Sequence, residues 1–167
     1  LNITRDPRKT RKTRTLPADF EKGPNDMNTV FARWGAAAPY LLSVLRIMAA
    51  FLFMQLGTAK WFAFPGPILP GGGTVPLTSL IGVAAMLETI GGFFLLIGFC
   101  TRPIAFLLAG EMAAAYFLQH APQGFWTVLN QGTNAVLFCF LWLYISAAGP
   151  GPWSVDALLR RPPSGRT

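Results

Sequence analysis

The chain has 167 residues, of which 52% are hydrophobic and only 13% charged. Soluble domains carry about 25% charged residues, so the composition excludes an ordinary water-soluble globule and leaves room for one membrane domain and little else. The formal net charge of +7 does not point to nucleic acid, because eight of the fourteen basic residues precede Tyr40 and three follow Asp156.

In chain order, residues 1–27 read as a basic arm (Arg5, Arg8, Lys9, Arg11, Lys12, Arg14) with no apolar periodicity. Such a segment is expected to dock on anionic phospholipid or on a partner within a larger membrane protein complex. Over 28–38, Val30, Phe31 and Trp34 share one side of a short helix beside Arg33, which suits an interfacial segment at the headgroups. The amino terminus is polar for over thirty residues, so no cleavable signal peptide is expected.

Four apolar runs follow at 39–64, 76–100, 103–120 and 125–148. Each meets the roughly 17–25 residues needed to cross a bilayer. Pro39, Pro76 and Pro103 stand where helices should begin, since a missing N–H costs nothing there. The uncharged loop 65–75 (PGPILPGGGTV) should fold over the outer mouth of the bundle. After the last run, Ser154 can cap an amphipathic helix through Arg161, setting Val155, Leu158 and Leu159 against Asp156 and Arg160, with Trp153 at the interface. Pro162 and Pro163 end it.

The expected fold is therefore all-α: a four-helix transmembrane bundle over 39–150, between the arm and interfacial segment (1–38) and a cytoplasmic tail (151–167), with short interfacial helices at both ends. The basic arm, Arg102, Arg160 and Arg161 fall on one side, and the two opposite loops carry no Lys or Arg. The positive-inside rule then puts both termini in the cytoplasm.

Ionisable residues inside apolar runs single out a candidate site. Arg46, Ala49, Ala50, Phe53, Gly57 and Lys60 share one helical face, and Ala84, Ala85, Glu88, Gly91 and Gly92 another. Glu111 precedes Ala114 and Ala115 by one turn, and the fourth run sets Asn130 beside Asn134. These faces should turn inward, because a charge exposed at mid-membrane costs about 2.5–3.5 kcal/mol. At 1.5 Å per residue, Arg46 and Glu111 lie roughly ten Å from the cytoplasmic side and Glu88 near the midplane. The depths predict a buried Arg46–Glu88–Glu111 cluster. It would serve either as an ion network fixing helix register, which the counter-charge of Arg46 favours, or as a protonatable site associated with quinone.

Lys60, Trp61, His120 and Trp126 gather at the outer edge. Lys and Trp at helix ends snorkel or anchor, whereas His120 could donate to a quinone oxygen or cap its helix. A single histidine cannot make a bis-His haem site. No metal cluster, nucleophile triad, P-loop or dinucleotide fingerprint is present. Cys100 and Cys139 form no CxxC and read as packing residues, so no covalently bound cofactor is expected, only quinone or lipid.

Four segments carry a resemblance: LRIMAAFLFMQLGTAKWF (45–62), LETIGGFFLLIGFCTRP (87–103), EMAAAYFLQHAPQGFWTVLNQG (111–132) and GPGPWSVDALLRR (149–161). Together, in order and spacing, they resemble the DoxX family of small four-helix bacterial membrane proteins. The chain departs from that pattern after the Asn-x-Gly step, where the family commonly has an acidic residue and this sequence has Thr133 and Asn134. Its amino-terminal lead is also longer. The resemblance implies a membrane subunit linked to redox chemistry. Members are similar to a thiosulfate:quinone oxidoreductase subunit, and others associate with sulfur-transfer or superoxide-detoxifying enzymes. The expected role is an accessory subunit of a membrane electron-transfer complex, respiratory or photosynthetic, without catalysis by this chain alone. The alternative is a quinone-interacting oxidoreductase subunit.

Overall fold

The computed structural model describes residues 27–69 and 71–160. The basic arm residues Arg5, Arg8, Lys9, Arg11, Lys12 and Arg14 lie outside the described residues, as do Arg161, Pro162 and Pro163. Every regular element is helical: α1 (Met27–Phe62), α2 (Leu80–Ile97), α3 (Thr101–Ala115), α4 (Thr133–Ala148) and α5 (Val155–Leu159). No strand occurs among the described residues. Residues 27–36 fall in one compact unit, where Phe31 and Trp34 are exposed. The second unit begins at Ala37 and contains the buried polar groups and cavities.

Among the described residues, three stretches are long and apolar enough to cross a membrane: Thr29–Phe62, Leu80–Ile97 and Thr101–Gln123. α4 is apolar but has 16 residues. That is roughly 24 Å of helix, short of the roughly 30 Å hydrocarbon core. Large apolar side chains such as Phe106, Leu107, Leu137 and Phe140 point outward, as expected where the surrounding solvent is lipid.

Three boundaries differ from the sequence expectation, each for a local reason. Pro39 does not start a helix but sits inside α1, so residues 28–38 are not a separate short helix. The pyrrolidine ring removes one backbone donor and crowds the carbonyl four residues back. Here that residue is Gly35, whose surroundings are open, and the three alanines between them favour helix. α2 starts at Leu80 rather than Pro76, because Ser79 caps it: its Oγ accepts from the Gly82 N–H at 3.0 Å. α4 starts at Thr133 rather than 125, because residues 124–132 are taken up by a turn that Asn130 organises.

Small residues bring α1 and α2 together in antiparallel fashion. A Cβ on Gly57 would sit 2.5 Å from Thr89 Oγ1 and 2.7 Å from the Ala85 carbonyl oxygen, and one on Gly92 would sit 3.2 Å from Met54 Cβ. Phe53 is buried against Phe138 and Trp142 of α4, with ring centroids 5.1 and 5.4 Å away. The faces expected to turn inward do so on α1 and α2, where Arg46, Ala49, Ala50, Phe53 and Gly57, then Ala85, Glu88, Gly91 and Gly92, are buried, whereas Ala114 on α3 and Asn134 on α4 are exposed.

Candidate functional site

The buried polar groups separate into two sets at opposite ends of the bundle. The first set closes helix ends. Four carbonyl oxygens surround the fully buried Arg46: Leu95 and Leu96 (2.8 Å) at the end of α2, Pro150 (2.9 Å) and Trp153 (2.6 Å). The last carbonyls of α2 have no partner within the helix, and a cation is favoured there by the helix dipole. Arg102 caps α4 in the same manner, donating to Ser146 O at 3.1 Å and Ala147 O at 2.5 Å. Asp156 completes the arrangement from the opposite sign. Its two carboxylate oxygens accept the N–H groups of Cys100 (2.9 Å) and Thr101 (2.8 Å) at the start of α3. Burial pushes the Asp156 carboxyl up, but the N–H groups of Thr101 and Cys100 and the charge of Arg160 outweigh it and hold the pKa below the ordinary aspartate value.

The expected Arg46–Glu88–Glu111 cluster therefore does not form around Arg46. The antiparallel register sets Arg46 beside Leu95, and Glu88 lies two turns further along α2, roughly ten Å away. It is Lys60, at the far end of α1, that meets Glu88, with Nζ 2.5 Å from Oε1. Glu88 is 1% exposed and Lys60 22%. Glu111 on α3 has Glu88 and Lys60 as its charged neighbours. Both of its carboxyl oxygens are buried and neither has a hydrogen-bond partner among the described residues.

Glu111 and Lys60 line a cavity of about 490 Å³ between α1, α2 and α3. His120 and Gln119 lie on its wall at the end of α3, and Ile68 and Leu69 of the loop after α1 border it. The remaining wall is apolar, including Ala84, Leu87, Ala114 and Leu118. Leu80, Ile81, Val83 and Leu118 are also exposed on the outer surface, so the mouth between α2 and α3 is apolar. A cavity of this size with few polar groups in an apolar wall suits a small lipophilic ligand.

His120 is aimed by the local fold. α3 widens into a π turn over Tyr116–His120 before a short 3-10 turn, a feature that recurs at functional sites. The His120 ring stacks near Tyr116, with centroids 6.5 Å apart. Its Nδ1 lies 2.8 Å from the Asn130 carbonyl oxygen. A carbonyl only accepts, so Nδ1 carries the hydrogen of this bond. Asn130 is itself buried, donating to Gly124 O at 2.8 Å and accepting from Gly132 N–H at 2.8 Å.

Of the four outer-edge residues expected together, Lys60 and His120 share this cavity. Trp61 stacks on Phe62. Trp126 borders a separate cavity of about 420 Å³ between α3 and α4. Asn130 belongs to the turn before α4 and Asn134 to α4 itself, where it lines a third cavity. The aiming role of Asn130 and the caps formed by Arg102 and Asp156 were not expected from the sequence. The Asn130-Gln131-Gly132 step is a turn signal that could have revealed the first.

Comparison with known proteins places the chain. The DoxX family model matches residues 41–121. An uncharacterized protein of Haemophilus influenzae is 40% identical over 121 residues, 71% of this chain and 90% of the relative. The inner membrane protein YqjF of Escherichia coli is 32% identical over 71% of this chain and 91% of its own length. The inner membrane protein YphA of the same organism is 28% identical over 78% and 99%. No solved structure matches.

Proposed function

The chain belongs to the DoxX family of membrane proteins, and from that premise we propose that it is a subunit of a bacterial inner-membrane electron-transfer assembly that holds a quinone head group between α1, α2 and α3. One observation carries this reading. The buried carboxyl of Glu111 has no hydrogen-bond partner among the described residues and sits, with Lys60 and His120, on the wall of a cavity whose mouth is apolar. Ionisable groups inside a membrane domain are costly and mark functional sites. A ligand that dissolves in the bilayer and carries a polar ring fits both parts of that wall. Lys60 and Glu88 hold the polar corner together, while Glu111 and His120 face the ligand.

In this reading α4 completes a four-helix bundle, and both termini are cytoplasmic. Arg102 and Arg160 lie at one end, while loops 63–79 and 121–132 at the other contain no Lys or Arg. The basic arm and α5 dock on anionic phospholipid or on the partner complex. Exposed Phe31 and Trp34 beside Arg33 favour the same docking role, so an accessory function and quinone binding are compatible in one subunit.

The test is gentle purification from the native membrane through a small C-terminal tag, followed by organic extraction and subunit identification by mass spectrometry. Near-stoichiometric quinone in the wild type and its loss in Ala114→Phe, which fills the cavity from an exposed helix face, is the expected outcome. Absence of quinone from the wild type, with redox subunits still attached, would leave the accessory role alone.

A further inference from the structure

The groove between α1 and α4 carries two polar side chains that the chain itself leaves unsatisfied. Leu52, Gln55, Leu56 and Ala59 follow at helical spacing along one face of α1, and Asn134, Leu137 and Phe138 do the same on α4. With residues 65–68 of the loop after α1 they line a cavity of about 660 Å³. It opens outward, since Leu52 is 50% and Leu137 62% exposed and Asn134 is exposed as well. Neither the Gln55 nor the Asn134 carboxamide makes a hydrogen bond among the described residues. Thr58 and Thr89, by contrast, return their hydroxyls to carbonyls of their own helices at 3.2 and 2.7 Å. Gln55 lies two turns before the end of α1 at Phe62, roughly ten Å along the helix. Acyl chains bring neither donor nor acceptor to an amide, whereas Asn and Gln side chains in membranes bond across helices.

We propose that this groove is the interface of a homodimer, in which a second copy of the chain meets the first across a two-fold axis through α1 and α4. The chemistry of the wall selects the occupant. A carboxamide has one acceptor oxygen and two N–H donors, so Gln55 and Asn134 are satisfied by the same two side chains of another copy. A two-fold interface requires such a self-complementary patch. None of the described residues that line the groove is charged, so two copies meet without opposing like charges. The 16 residues of α4 point the same way, because a helix shorter than the hydrocarbon core is accommodated by thinning the bilayer or by oligomerising. Lys60, Glu111 and His120 take no part in this wall, and the homodimer stands independently of the quinone reading.

The experiment counts subunits by single-molecule photobleaching of the full chain, with one fluorophore at its C-terminus, in phosphatidylcholine–phosphatidylglycerol liposomes at high lipid-to-protein ratio. The wild type is expected to bleach in two steps. Replacing both amides, Gln55→Leu with Asn134→Leu, should lower the dimerisation constant by about tenfold or more. In a background without native cysteines (Cys100→Ala, Cys139→Ala), Leu137→Cys should form an oxidative cross-link between copies. Phe106→Cys, exposed on α3, should not. A wild type that bleaches in one step would overturn the homodimer whatever the variants do, so poor folding of a variant does not spare the proposal. A dimer that persists undiminished in the double variant, or that cross-links through position 106 and not 137, would overturn the assignment to the α1–α4 groove.

Discussion

Lys60 Nζ lies 2.5 Å from Glu88 Oε1, and this pair joins the far end of α1 to the middle of α2. The same two helices approach closely through Gly57 and Gly92, so the charge contact and the backbone contact fix one register. Glu88 is almost fully buried. Removing Lys60 would leave that carboxyl with an open acceptor and no cation.

Lys60→Met should therefore destabilise the bundle by about 3 kcal/mol, the lower end of the range for breaking a buried pair, since Lys60 keeps some exposure. The double variant Lys60→Met with Glu88→Leu should recover most of that loss, because no unpaired group then remains. Unfolding equilibria in bicelles would measure both. A single-variant loss below about 1 kcal/mol, the range of exposed pairs, would mean that the contact behaves as a surface one.

The sequence reading identified the right faces of α1 and α2 but the wrong partners. Helical periodicity alone placed Arg46, Phe53 and Gly57 on one inward face, and small residues marked the face of α2 around Glu88. Depth counted from helix ends could not resolve which cation meets Glu88. An offset of two turns, roughly ten Å, exchanges Arg46 for Lys60. The offset is set by Ser79, three residues after Pro76, capping α2 and by Arg46 capping the other end of α2. Both are hydrogen bonds to backbone groups, and periodicity carries no signal for these. The aim of His120 was equally hidden, because it depends on a π turn and on a carbonyl ten residues away.

Arg46 should not tolerate even lysine. Its guanidinium reaches four carbonyl oxygens on two separate segments, and an ammonium on a single stem cannot span that fork. Arg46→Lys is expected to release the 149–154 segment from α2. Hydrogen exchange at Trp153 and neighbouring amides should accelerate by about tenfold or more, equivalent to at least about 1.4 kcal/mol of local stability. Unchanged exchange there would show that the segment is held by other contacts.

Asp156 gives a pH signature at the same end. Its carboxyl titrates below the ordinary value of 3.8 in the folded protein. Its stabilising contribution is therefore complete above that value and is lost as the pH falls through the lower, folded one. The difference in thermal midpoint between wild type and Asp156→Asn should be positive and constant from neutral pH down to about pH 5, then shrink as acid protonates Asp156. A difference that stays constant into strong acid would mean that the carboxylate charge contributes nothing to capping α3.

Asn130 is the remaining test, because it links loop stability to the aim of His120. Its side chain donates to Gly124 O and accepts from Gly132 N–H, while its own carbonyl receives His120 Nδ1. Asn130→Asp keeps the shape and the acceptor but removes the donor, leaving the Gly124 carbonyl without its partner. The expected loss is about 1–3 kcal/mol, concentrated in residues 124–132. If that loop aims His120, the 15N shifts of the ring should move from a single Nδ1–H tautomer toward a mixture. Glu111 and the rest of the cavity wall are untouched by this change. A destabilised loop around a ring that keeps its single tautomer would show that Tyr116 and the π turn suffice to hold it.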